Sequence, residues 1–146
     1  MEHLIVVRHG DNIHQNLSQW GKDQMILLAA KFGVRLPLPG RVRVLASPAG
    51  ATFESAEILA SAFGIEVETC GVLLVPPLNL AKVLDLVRFY QHEADTIVLV
   101  THAACVELFP KCYGKEELRV DFPNLGRVPK GGAVVISRAD KSVACI

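Results

Sequence analysis

Surplus charge, paired cysteines and long apolar runs are all missing from this chain. Its 15 basic residues balance 15 acidic ones. No Lys/Arg cluster supplies the electrostatic footprint that nucleic acid or an anionic membrane requires, so both are excluded as expected partners. No apolar stretch approaches the ~18 residues of a membrane-spanning helix. The first apolar run starts directly after Met1 and Glu2, too early for a secretory signal, and a cytoplasmic location is the expectation. The four cysteines, Cys70, Cys105, Cys112 and Cys145, form no CxxC pair and no zinc-type spacing; free, mostly buried thiols are expected, and no metal site. Repeats, low-complexity tracts and linkers are absent as well. At 146 residues the chain is long enough for one core and too short for two, which predicts a single domain over residues 1–146.

What is present alternates between strand-like and helix-like patterns. His3 to Val7 and Thr96 to Val100 are short, largely β-branched apolar runs, the pattern of central parallel strands buried on both faces. Val42 to Ala46 reads as a third strand, Glu66 to Thr69 as a weaker one, and Ala133 to Ser137 and Ser142 to Cys145 as a closing pair. Ser18 is expected to cap a helix that runs to about Phe32, with Gly33, Pro37 and Pro39 marking the loop beyond it. Ser47-Pro48 has the composition of a helix start, a serine cap followed by proline. That helix should reach Phe63, with Ala49, Phe53, Ala56, Leu59, Ala60 and Phe63 on its apolar stripe and Glu54 and Ser55 on other faces. Asn79 opens another, in which Leu80, Val83, Leu84, Val87 and Tyr90 keep helical spacing, and a shorter one starts at Ala103. The fold class expected is α/β, a three-layer α/β/α sandwich with a mostly parallel central sheet.

Chemistry concentrates where two buried strands end. Arg8-His9-Gly10 follows the first, and His102 follows Thr96 to Thr101. In open α/β sheets ligands bind at the carboxyl edge of the strands, so two imidazoles and a guanidinium arriving there from separate strands point to a phosphoryl-transfer site. An imidazole that is neutral at one nitrogen is a competent nucleophile, and a guanidinium clamps phosphate oxygens in bidentate fashion. The backbone N–H of Ala103, opening the following helix, is a further anion donor. Asn12 sits in the polar loop after His9, and Ser47 ends another strand; both are candidate substrate contacts, Ser47 after its role as a cap. His3, His14 and His92 read as surface residues and Cys105 as a core thiol.

These residues, in this order, resemble the histidine phosphatase superfamily, which is phosphoglycerate mutase-like. The resemblance runs through Leu4-Ile5-Val6-Val7-Arg8-His9-Gly10, Leu17-Ser18 with Gly21 and Gln24, Val44-Leu45-Ala46-Ser47-Pro48 leading to Glu54-Ser55-Ala56, Val98-Leu99-Val100-Thr101-His102, and Gly132-Ala133-Val134-Val135-Ile136. The short connection from Arg-His-Gly to Leu-Ser and the small total length are closest to the compact phosphohistidine phosphatase branch. The resemblance implies a phosphatase in which His9 attacks phosphorus to form a phosphohistidine, Arg8 clamps the phosphoryl oxygens and His102 donates to them. It implies no cofactor and no metal.

Two departures accompany it. The arginine that the family carries four residues after the serine of Ser-Pro is Ala51 here, with Arg43 and Lys22 as candidate replacements. No carboxylate occurs between Glu68 and Asp85, where the mutase and acid phosphatase branches carry their general acid; Asp11 and Glu54 are the candidates left for that role. Two function classes stay open: a phosphatase acting on a phosphorylated small molecule or phosphoprotein, or a degenerate member that binds a phosphorylated ligand or partner protein with little turnover. Mutase activity is disfavoured, because so short a chain has little material for a lid. The 51% apolar composition leaves room for a homodimer that buries a surface patch.

Overall fold

The computed structural model describes residues 1–35, 40–123 and 125–146. Strands β1 (His3–Arg8), β4 (Val42–Ala46), β5 (Val67–Thr69), β6 (Thr96–Thr101), β7 (Ala133–Ser137) and β8 (Ser142–Cys145) form one sheet in the order β5-β4-β6-β1-β7-β8. The pairs β1–β6, β4–β6 and β4–β5 are parallel, whereas β7 runs antiparallel to β1 and β8 antiparallel to β7. β2 (Asn12–Ile13) and β3 (Asn16–Leu17) make a small separate hairpin.

The sheet divides the core into two layers because successive strand residues face opposite ways. Leu4, Val6, Leu45, Ile97 and Leu99 meet α3 (Leu80–Tyr90) and α4 (Ala103–Tyr113) on one face, through Val83, Val87, Cys105, Val106 and Phe109. Ile5, Val7, Val44, Val98 and Val100 meet α1 (Gln19–Arg35) and α2 (Gly50–Phe63) on the other, through Met25, Leu28, Phe32, Ala56 and Leu59. The structure is therefore the three-layer α/β/α sandwich read from the sequence, and every residue of β6 is buried, as a doubly covered strand requires.

Three local expectations are corrected. α1 continues through Gly33 to Arg35; the loop expected at Pro37 and Pro39 lies outside the described residues. Ser47 is not the cap of α2. The helix begins three residues later at Gly50, Ala49 is in the capping position without a side-chain bond, and Ser47 is wholly buried at the end of β4. Within α2, Ser55 and Thr52 are buried, while Phe53 and Phe63 are only half-buried, so two small polar residues share the face expected to be apolar. Ser18 caps α1 as expected, its hydroxyl accepting from the Gly21 N–H at 3.0 Å.

Candidate active site

β1 and β6 lie side by side in register, Arg8 opposite Thr101, so the residues that follow them emerge together at the carboxyl edge. His9 and His102 meet there, their ring centroids 5.6 Å apart and their planes at 72°. The His9 backbone is fixed from two sides. Its N–H donates to the Thr101 carbonyl at 3.2 Å, and its own carbonyl accepts from the Gly131 N–H at 3.0 Å.

The His9 ring has a defined tautomer. Nδ1 lies 2.8 Å from the Gly10 carbonyl oxygen, which can only accept, so Nδ1 carries the proton and Nε2 keeps its lone pair. Burial pushes the His9 pKa below the usual imidazole value; the Gly10 bond opposes this, and the charges of Arg8 and Lys130 add to it. His102 is also held low, by burial first and by His9 second. Both rings are therefore neutral at pH 7. His102 Nε2 is 3.2 Å from Ser47 Oγ, and Ser47 Oγ also accepts from the Ala49 N–H at 3.3 Å.

Arg8 donates from one terminal nitrogen to the Val128 carbonyl at 2.8 Å, and the N–H of Val128 donates to Glu107 of α4 at 3.3 Å. Its Nε is buried with no hydrogen-bond partner among the described residues. A guanidinium held at one corner with an unsatisfied donor is poised for an oxyanion, because a buried unpaired N–H is costly. The helix α4 begins at Ala103, directly after His102, so its first amide stands at the same edge.

The remaining sequence candidates are distributed around this centre. Asp11 accepts from Ser18 Oγ at 2.7 Å, and that bond, with Lys130 in support, holds its carboxyl below the usual carboxylate range. Asn12 donates to the His14 carbonyl at 2.7 Å and accepts from Lys130 at 3.1 Å. Glu54 accepts from the Leu17 N–H at 3.3 Å and, with Lys22, lines a groove between α1 and α2. Ala51 is buried. Arg43 points elsewhere: it is paired with Glu68 and Glu93 and lies over the Tyr90 ring, and its register partner Ile97 is well back from the carboxyl edge of β6.

Three contributors were not singled out in the sequence, and a fourth, Ser55, stood there only as a member of the Glu54-Ser55-Ala56 motif. Ser55 accepts from the Gly10 N–H at 3.0 Å and donates to the Ala51 carbonyl at 2.7 Å. Gly131 donates to the carbonyls of both Arg8 and His9, Glu107 anchors Val128, and Lys130 brings an ammonium to the loop after His9. Of Gly131, Glu107 and Lys130, only Gly131 carries a sequence signal, a glycine before a strand, and its φ of +75° confirms the need for one. The motif glycines Gly10 and Gly21 have a steric reason: a Cβ on Gly10 would stand 2.6 Å from the Gly21 carbonyl oxygen.

Among the described residues no three His, Cys, Asp or Glu side chains gather as a metal site, and no helix is long and apolar enough to cross a membrane. Cys105 is buried, its thiol pushed up to about 11 by loss of solvent.

No family model and no curated protein matches this sequence. Solved structures do match. A mycobacterial glucosyl-3-phosphoglycerate phosphatase superposes with a TM-score of 0.72 at 16% identity, covering 94% of this chain and 90% of that one. The protein histidine phosphatase SixA, in complex with tungstate, gives 0.68 at 15% identity over 99% of this chain and 94% of that one. The ecdysone phosphate phosphatase of Bombix mori, also with tungstate, gives 0.74 at 11% identity over 99% and 92%. The chain has the histidine phosphatase fold. That fold agrees with the resemblance carried by Arg8-His9-Gly10 and His102, which lie on the strand ends described above.

Proposed function

We propose that this chain is a metal-independent phosphatase acting through a phosphohistidine on His9. The observation that carries the reading is the pair of imidazoles with ring centroids 5.6 Å apart, one with its Nδ1 proton committed to Gly10 so that its Nε2 lone pair is open. In this reading Nε2 attacks phosphorus, a P–N bond forms, and the bond to the leaving group breaks. Water then attacks the phosphohistidine, releasing inorganic phosphate and restoring the imidazole. Arg8, the Ala103 amide and His102 meet the three equatorial oxygens, with Ser47 orienting His102. Asn12 contributes at the substrate's edge.

The substrate class follows from the carboxyls. Asp11 is held ionised, which makes it a poor proton donor, and Glu54 is engaged with the Leu17 amide. Leaving groups that need little protonation from the protein, phosphohistidine and aryl phosphates, are accordingly favoured over alkyl monoesters. The occurrence of a protein histidine phosphatase among the structural neighbours supports this choice. The free thiols fit a cytoplasmic location. A homodimer would be sealed over the outer face of α1, where Trp20, Leu27 and Val34 recur at seven-residue spacing and are exposed.

One observation favours the second reading, a phosphate-binding protein of little turnover: Ala51 is buried where the family's second arginine would stand. The deciding experiment is hydrolysis of phosphoramidate and p-nitrophenyl phosphate by wild type and His9→Ala, with trapping of an acid-labile phosphoenzyme. Turnover lost in His9→Ala together with a trapped phosphohistidine supports the phosphatase. Tight phosphate binding without turnover of either compound overturns it in favour of the binding protein.

A further inference from the structure

A phosphoryl group arrives with two negative charges, and the site as described offers one guanidinium and two neutral rings. The ammonium of Lys130 reaches Asp11 and Asn12, which follow Gly10, and the adjoining Gly131 amide holds the carbonyls of Arg8 and His9. From this juxtaposition we infer that Lys130 is the second cation of the oxyanion site, in place of the guanidinium that Ala51 cannot supply; the inference rests on the phosphatase reading.

Lys130 is placed for it by its own backbone. The next residue, Gly131, donates its N–H to the carbonyls of Arg8 at 3.2 Å and His9 at 3.0 Å, so Lys130 is held against the strand end that presents the nucleophile. Its Nζ lies 3.1 Å from Asn12 Oδ1 and 3.5 Å from Asp11 Oδ1, both in the segment that follows Gly10. The ion pair is partly exposed, 36% on the lysine and 37% on the aspartate, and long, so it holds the ammonium loosely. Asp11 does not depend on it, because Ser18 Oγ already donates to that carboxylate at 2.7 Å. A lysine is a point charge on a flexible four-carbon stem, free to leave one oxygen partner for another. On oxyanion binding, Lys130 exchanges Asp11 for a phosphoryl oxygen, and Asp11 keeps its serine donor. The other two cations considered from sequence have no such position: Arg43 is spent on Glu68 and Glu93, and Lys22 lies on the α1–α2 groove.

The test measures tungstate affinity by calorimetry, and kcat/KM on p-nitrophenyl phosphate, for wild type, Lys130→Ala, Lys130→Arg, His9→Ala and, as a charge control, Lys22→Ala. Thermal melts confirm that each is folded. Lys130→Ala is expected to weaken tungstate at least about tenfold and to move the acid limb of the rate profile to higher pH, since a cation that disfavours protonation of His9 is gone. Lys130→Arg should retain most of the affinity and Lys22→Ala should match wild type. Tungstate binding by Lys130→Ala within twofold of wild type overturns the inference, as does an equal loss in Lys130→Arg. Wild type that fails to bind tungstate overturns both this inference and the phosphatase reading. Turnover that survives in His9→Ala, with tungstate affinity still dependent on Lys130, overturns the phosphatase reading alone.

Discussion

Ser55 and Gly10 are joined across the site floor: the buried serine hydroxyl accepts from the Gly10 N–H at 3.0 Å while donating to Ala51 at 2.7 Å. The contact ties helix α2 to the residue whose carbonyl accepts from Nδ1 of His9, so a helical side chain sets the height of that ring's anchor. Ser55→Ala leaves a buried amide unpaired and should cost about 1–3 kcal/mol of stability in denaturant melts. A change below about 0.5 kcal/mol would show that the bond carries no weight.

Gly21→Ala should be worse than an ordinary helix substitution. Alanine is the better helix former, yet a Cβ here overlaps the Asp11 carbonyl oxygen, a backbone atom that cannot turn aside. Overpacking of this kind costs about 1–3 kcal/mol, and a displacement of the loop after His9 by ~1 Å should lower kcat/KM about 10²-fold. A stabilised and fully active Gly21→Ala protein would show that α1 can retreat freely.

Arg8→Lys keeps the charge and loses the fork. One guanidinium nitrogen is already committed to Val128, so a lysine can either replace that contact or reach the substrate. Loss of one donor to a developing oxyanion typically costs about 10²–10³ in kcat. Steady-state kinetics with kcat unchanged and only KM raised would mean that Arg8 binds ground state and transition state equally.

The pH dependence follows from the two rings. Both are pushed below the free imidazole value of 6.5, His9 chiefly by burial and His102 by burial and by His9. The proposed nucleophile, His9, acts when neutral, so kcat/KM should be level through pH 7, with its acid limb below 6.5. A limb at or above 6.5 would contradict the burial argument. Stability obeys the same sign: the unfolded chain takes up protons below 6.5 before the folded one does. The contribution is full above 6.5 and declines as the pH falls from there toward the depressed values. Denaturant melts at pH 7.5, 6.5 and 5.5 should show that fall, and His102→Gln should reduce it.

Legibility in the sequence tracked locality. Strands β1 and β6 were readable because runs buried on both faces leave a continuous apolar signal, and the histidines were readable because they follow those runs directly. Ser47 was recognised but misplaced: serine before proline suits a cap, and only the tertiary position of His102 shows what its hydroxyl meets. Glu107 and Lys130 gave no local sign, since a glutamate in a helix and a lysine before two glycines are ordinary, and Ser55 stood only within the Glu54-Ser55-Ala56 motif, with no sign of its bond to Gly10. Their partners Gly10, Val128 and Asn12 are far away along the chain. Arg43 misled for the converse reason. It is a cation on a strand adjacent to the right one, and only the register of β4 on β6 shows that it stands too far back.

The Gly131 amide that holds the carbonyls of Arg8 and His9 also fixes a moment in the life of the molecule. β1 is made well before its neighbours in the sheet, β6 and β7, and the clamp on its end is made with them. Until those strands are made, a nascent chain therefore carries His9 without the surroundings that depress the basicity of its ring. Contacts so distant in sequence also form slowly once available. Any chemistry this histidine performs is silent until β6 and β7 have joined β1.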